Sequence, residues 1–329
     1  MLDRRQFLAS AASVAVAGAV SPAFAQTAYP TKQVSILVGY PAGGGVDIVA
    51  RMAAEVIRPL GQNVVVENRT GASAMIAAGA VAKAPPDGHT LLMAASGEVA
   101  INHHLFKEKM TYDPLRELVP VSLIGIVPCV VVVNVNTPVN NPQELIAFAK
   151  ANPGKLSFSS SGIGNPQQLA GELMNSMAGI NVLHVPYRGS APAVTDVATG
   201  AVTMSFSSLA AALPLIQGGK LRAVAVTSKE RMPQLPDVAP LREGAPGLAD
   251  YELLNWFGMF ATAGTPPDVV DRLNGVVNKM LEDKAVAEKL MVQGIVPRTM
   301  SAREYKSFVD SEAAKFGKIV EQANIKLGN

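Results

Sequence analysis

Residues 39–51 read GYPAGGGVDIVAR, three consecutive glycines between the β-branched run Val34–Val38 and a helix-forming stretch that opens at Asp47. Glycine is entropically expensive, and a strand can pass into a helix without three of them. The triplet therefore implies close approach of something to bare backbone. A phosphate loop of the Walker type needs a Gly-Lys-Ser/Thr ending, and none follows. A dinucleotide turn is an alternative, with Glu67 at the end of the next strand to take a ribose hydroxyl. Its third glycine position falls on Ile48, however, and Asp47 would stand close to the pyrophosphate. The remaining reading is an exposed helix N-terminus that holds a smaller anion on unpaired amides. Under it Ala42, Gly43, Gly44, Gly45 and Val46 present their backbone, partly through waters, and Tyr40 packs beside the loop. Asp47 either touches the ligand or only favours the helix start.

Around this stretch, short β-branched runs alternate with alanine-rich helical patterns. Val34–Val38, Val64–Glu67 and Thr90–Ala94 read as strands, with Asp47–Pro59 and Ala74–Lys83 as helices between them. A second series holds strands at Leu156–Ser159, Val182–Val185, Val202–Phe206 and Leu221–Thr227. Asn141 before Pro142, Asn165 before Pro166, and Ser190 near Pro192 mark its helix starts. Thr265 is expected to cap a helix from Pro266, and Ser301 with Glu304 makes a capping box. Such alternation predicts parallel strands with crossover helices, an α/β class. Two extended stretches, Val121–Val135 (interrupted by Pro128) and Tyr251–Ala261, look like crossings between two lobes. Residues 26–125 with 255–329 are expected to form one lobe and 126–254 the other.

The first 25 residues carry Arg4 and Arg5, an apolar segment from Phe7 to Val20, and Ala23-Phe24-Ala25. That is the layout of a cleaved export signal, too short in its apolar part to span a bilayer. The arginine pair is similar to a twin-arginine signal, an ordinary secretory leader being the alternative. The chain of 329 residues less this leader of 25 leaves 304, enough for two lobes. The formal charge of the whole chain is +2, and no basic run suggests nucleic acid. Cys129 is the single cysteine, so no internal disulfide is available. A core of this size does without one.

A second jaw is expected at Ser159-Ser160-Ser161-Gly162-Ile163-Gly164-Asn165, which also joins a strand to a helix. Ser160, Ser161 and Gly162 are candidates for the far end of a ligand, and Asn165 either contacts it or only caps the helix. Ser96 and Ser207 end strands in a similar way, where ligands of such sheets gather. Catalysis finds little footing. His103 and His104 are adjacent and have no partner pair at metal spacing. Cys129 reads as a small core residue, and Ser161 lacks the G-x-S-x-G elbow.

The stretch Pro41-Ala42-Gly43-Gly44-Gly45-Val46-Asp47 resembles the first-loop signature of the Bug-type substrate-binding proteins of tripartite tricarboxylate transporters. Further matches follow in the family's order: Glu67-Asn68-Arg69-Thr70-Gly71-Ala72, Pro86-Asp87-Gly88-His89-Thr90-Leu91-Leu92, His184-Val185-Pro186-Tyr187-Arg188-Gly189-Ser190, and Gly264-Thr265-Pro266-Pro267. The resemblance implies a two-lobed, periplasmic-binding-protein-like (type II) fold with a hinge and an interlobe cleft. It implies a periplasmic monomer that closes over a small carboxylate and delivers it to integral membrane transporter subunits, with no cofactor, metal or catalysis. An exported cofactor-dependent oxidoreductase that uses the glycine loop for a dinucleotide is the alternative. Val46 stands where the family often has a hydroxyl residue, which would admit a more apolar acid body. Asn165-Pro166-Gln167-Gln168 replaces a commoner Ser/Thr and His pattern.

Overall fold

The computed structural model describes residues 29–323 and 325, so the leader expected over residues 1–25 lies outside the described residues. The chain begins its first sheet with β1 (Val34–Val38), α1 (Gly45–Ile57), β2 (Val64–Asn68), α2 (Met75–Ala82) and β3 (Thr90–Ala95). The three strands are parallel in the order β2-β1-β3. Successive strand residues face opposite sides. Ile36, Val38, Leu91 and Met93 accordingly join one apolar cluster with Val49 and Ala53 of α1. Leu37, Leu92 and Ala94 join another with Ala77 and Val81 of α2. Both faces are covered, as a parallel sheet requires.

Next comes β4 (Leu118–Asn134), and after it a second series: α3 (Pro142–Ala151), β5 (Ser157–Ser160), α4 (Pro166–Ala178), β6 (Leu183–Pro186), α5 (Ser190–Thr199), β7 (Met204–Ser208), α6 (Leu209–Gln217) and β8 (Leu221–Val226). The chain ends with β9 (Leu254–Thr262), α7 (Pro267–Glu282), α8 (Lys284–Val292), β10 (Val296–Pro297) and α9 (Ala302–Gln322).

One strand joins the two series. From Leu118 to Pro128, β4 runs antiparallel to β9, and β9 in turn pairs with β3. From Cys129 onward it pairs with β7 and β8 instead. The expectation that Pro128 interrupts this run is not met, because the strand passes straight through it. Proline has no N–H to give a ladder, and Pro128 stands at the residue where β4 changes partners. The hydrogen-bonded path β2-β1-β3-β9-β4-β7-β5-β6 is continuous through β4. The largest apolar cluster also crosses from one series to the other, from Trp256 and Tyr305 to Phe158 and Phe206.

Two expected caps are corrected. The N-cap of α7 is Pro266, and the Thr265 hydroxyl donates to Thr262 O. Ser190 is the first residue of α5, whose N-cap is Gly189. The caps at Asn141, Asn165 and Ser301 are as expected, the last with both bonds of its capping box.

Candidate functional site

The three glycines of the first loop answer to three different demands. Gly43 has φ +81, in the left-handed region that side chains avoid. A Cβ on Gly45 would lie 3.0 Å from the Phe257 ring, so packing keeps it bare. Gly44 has neither constraint. Its φ of −76 and ψ of 165 suit any residue, and a Cβ there would meet nothing nearer than Pro41 O at 3.4 Å. The fold does not need glycine at Gly44.

Asp47 fastens this loop. Its carboxylate accepts from Gly43 N at 2.9 Å, from Arg51 Nε and Nη2 at 2.9 and 3.0 Å, and from Asn68 Nδ2 at 2.9 Å. Burial alone would raise its pKa, but the bonds from Arg51, Gly43 and Asn68 prevail and hold it below the usual range. The Gly43 amide is thereby occupied. No side chain caps α1, so Gly45 and Val46 keep amides without a partner among the described residues. By contrast, Asn141, Asn165, Asp283 and Ser301 cap α3, α4, α8 and α9, whereas α5 and α6 begin uncapped like α1. The Val46 side chain is buried in the core, so it does not line a ligand space.

The second loop is largely closed on itself. Ser160 Oγ donates to Gly162 O at 2.7 Å and lies 2.7 Å from His184 Nε2. With the serine proton committed to Gly162 O, His184 Nε2 carries the hydrogen of that second bond. Burial depresses the His184 pKa to about 4, and its ring stacks on Phe158. Gln167 Oε1 accepts from Ser161 N and Gln168 Oε1 from Gly164 N. Asn165 caps Gln168 N through Oδ1 and donates from Nδ2 to Ser161 Oγ at 3.0 Å. Ser96, buried, donates to Asn255 Oδ1 at 3.0 Å and ties the end of β3 to β9. Ser207 stands opposite Val130 within the sheet, its hydroxyl turned to Ser208 O.

The two loops are brought together by residues that sequence reasoning missed. Ser73 Oγ donates to Ile163 O at 3.0 Å, and Asn102 Nδ2 donates to Ser73 O at 2.9 Å. A Cβ on Gly97 would lie 3.3 Å from Gly164 O. Ala72, Ser73 and Ala74 all have positive φ, at 46, 53 and 68. None of the three is glycine, so the residues themselves do not announce that geometry. Gly71 just before it, at φ +123, and the neighbouring Gly39, where a Cβ would fall 2.4 Å from Ala74 Cβ, are its traces in the sequence.

Residues 48–325 match the family described as tripartite tricarboxylate transporter family receptor. The chain belongs to this receptor family. Protein BugT of Bordetella pertussis is 34% identical to this receptor over 315 residues, which span 95% of the present chain and 96% of BugT. The structure of R. palustris Rpa4515 with adipate is similar at a TM-score of 0.83 and 35% identity, over 91% of this chain and 99% of that one. MatC (Rpa3494) from Rhodopseudomonas palustris with bound malate is similar at 0.79 and 29%, over 89% and 100%. These likenesses make the fold the two-lobed binding-protein fold of this receptor family, and the chain a solute-binding protein of Bug type. They give no support to the dinucleotide alternative, and Glu67, its intended ribose partner, is paired with Arg69 at 2.7 Å. Among the described residues no helix is long and apolar enough to cross a membrane, and no group of three or more His, Cys, Asp or Glu could hold a metal ion.

Proposed function

We propose that this receptor captures a four- to six-carbon dicarboxylate between its two loops and hands it to the membrane subunits of a tripartite tricarboxylate transporter. One ligand carboxylate rests on the amides of Gly45 and Val46, with Ala42 beside them and the dipole of α1 behind. The observation that carries this reading is Gly44, a glycine that neither turn geometry nor packing explains, at the mouth of an uncapped helix. The Ser160–Gly162 loop meets the far end. Neither loop contains lysine or arginine, so oriented dipoles answer the charge, which suits carboxylates better than phosphates. Adipate and malate in the related structures support the same class.

The lobes are residues 26–125 with 255–329, and 126–254, joined by the two extended stretches Val121–Val135 and Tyr251–Ala261. The protein acts as a monomer in the periplasm after loss of its leader, and it performs no chemistry. The Ser160–His184 contact is a structural bond, because the serine proton already goes to Gly162 O. A thermal-shift screen of carboxylates, amino acids, sugars and phosphates tests the reading. At a hundredfold excess over Kd the true ligand stabilises the fold by about 2.7 kcal/mol. Stabilisation by sugars or phosphates alone, with every carboxylate silent, would refute it.

A further inference from the structure

Behind the first loop lies a carboxyl that capture on backbone amides leaves unused. Glu98 sits in a single π-turn, Gly97–Ile101, and is fully buried. Its Oε1 accepts from Ala95 N at 3.0 Å, and its Oε2 accepts from the Tyr40 hydroxyl at 2.7 Å. No Lys, Arg or His among the described residues pairs with it. A charge buried without a cation is costly unless it can be neutralised.

The elements packed around Glu98 bring it only neutral rings. Tyr112 donates to the Glu98 carbonyl at 2.7 Å, and the buried Tyr305 of α9 faces it with an unpartnered hydroxyl. On the turn that follows, His104 is bound to Ala313 O and His103 lies against His104. Arg116 and Glu117 belong to the short helix before β4, where the Glu117 carboxylate is taken by Asp113 N. On α9, Lys306 pairs with Asp310 and Lys315 with Glu252 and Glu312, while Arg303 and Lys318 are exposed to solvent. Helix α2 and the turn at 72–74 carry no titratable side chain.

Tyr40 links this carboxyl to the cleft. A Cβ on Gly97 would lie 3.7 Å from the Tyr40 hydroxyl and 3.3 Å from Gly164 O of the second loop. The hydroxyl thus sits where the two loops meet, one residue before the Pro41–Gly45 turn. We propose that Glu98 is a positioning residue that makes carboxylate capture proton-linked through Tyr40. With Glu98 ionised, the Tyr40 proton is held on Oε2 and the phenol offers only lone pairs to the cleft. With Glu98 protonated, the bond reverses. The carboxyl then donates to the Tyr40 oxygen, and the Tyr40 hydrogen turns to the ligand carboxylate. Proton uptake on binding equals the fraction of Glu98 that is ionised in the free protein, so it grows as pH rises. Burial pushes the Glu98 pKa up to about 7, against the opposing bond from Tyr40, so both states are populated near neutrality.

The inference rests on the dicarboxylate reading above, and its test separates the two. Calorimetric titrations at pH 6, 7 and 8 use adipate, malate and other four- to six-carbon dicarboxylates against wild type, Glu98→Gln and Tyr40→Phe. With the Glu98 pKa near 7, the wild-type Kd rises about tenfold from pH 6 to pH 8. Glu98→Gln presents an amide N–H to Tyr40 in place of the carboxyl proton. It therefore binds at pH 8 as tightly as wild type does at pH 6, with no slope. Tyr40→Phe binds weakly at every pH, also without slope. A purely structural Glu98 would give a variant weakened equally throughout, and that result, or a wild-type slope surviving in Glu98→Gln, overturns the inference. Should Glu98→Gln fail to fold, Tyr40→Phe decides alone, because a slope kept in that variant overturns it. Silence of every carboxylate with every variant at every pH overturns the dicarboxylate reading and this inference with it.

Discussion

At the scale of single residues, the glycine triplet separates into one position held by backbone geometry, one by packing and one by neither. Gly45→Val drives a branched side chain into Phe257, and overpacking of this kind costs about 1–3 kcal/mol. Gly44→Val, on an exposed residue with ordinary dihedrals, changes stability by no more than about 0.5 kcal/mol. It nonetheless weakens ligand binding at least tenfold, about 1.4 kcal/mol. Denaturant melts and titrations on the pair check this, and equal stability losses would make both glycines structural. Glu98 adds a pH dependence. Its pKa rises on folding from 4.5 to about 7, so the folded state holds the proton more tightly than the unfolded chain. The resulting stability is complete below pH 4.5 and is lost as pH rises to 7, on the order of 3 kcal/mol in all. His103 and His184, both lowered by burial from 6.5 to about 4, act in the opposite sense, costing stability as pH falls through that window. The Glu98 share is therefore the difference between wild type and Glu98→Gln melted across pH 4 to 8, and a flat difference would contradict it. In the sequence Glu98 looks like any surface glutamate of a polar turn. Only the tertiary position of Tyr40 and Tyr112 makes it a buried one.

At the scale of elements, what was legible followed local chemistry. The β-branched runs became β1, β2 and β3 to within a residue, and Asn141, Asn165 and Ser301 capped the helices they precede. What was illegible depended on contacts distant in sequence. The left-handed turn at Ala72–Ala74 is shaped against Gly39 and Asn102, more than 25 residues away on either side. The π-turn at Glu98 is likewise set by its neighbours, including α9 far along the chain. Likewise the two candidate loops could be named from sequence, but not the Ser73–Ile163 bond that brings them together. Asn165 serves two elements at once, as cap of α4 and as partner of Ser161. Asn165→Ala therefore costs about 1 kcal/mol as a lost cap. It also loosens Ser161 and weakens binding, whereas Asn141→Ala, a cap far from the loops, lowers stability alone. Parallel melts and titrations of the two variants distinguish these outcomes.

At the scale of the whole molecule, β4 belongs to both sheet halves, and one apolar cluster runs through both. Neither half can lose its order without stripping the other of a strand and of core partners. Heating is expected to give a single cooperative step despite the two-lobed shape, with circular dichroism and fluorescence midpoints coincident. Two separated midpoints would show that the lobes unfold independently. Fluorescence suits this purpose because of where Trp256 lies. It is the only tryptophan, fully buried on β9, with the rings of Tyr305 and Phe308 set edge-on against it at 6.0 and 5.6 Å. Its emission should be blue-shifted in the native protein, red-shifted on unfolding, and unmoved by saturating ligand, since no solvent or solute reaches the indole. Intrinsic fluorescence of this receptor is thus a gauge of integrity that is blind to occupancy, and a silent emission titration says nothing against binding.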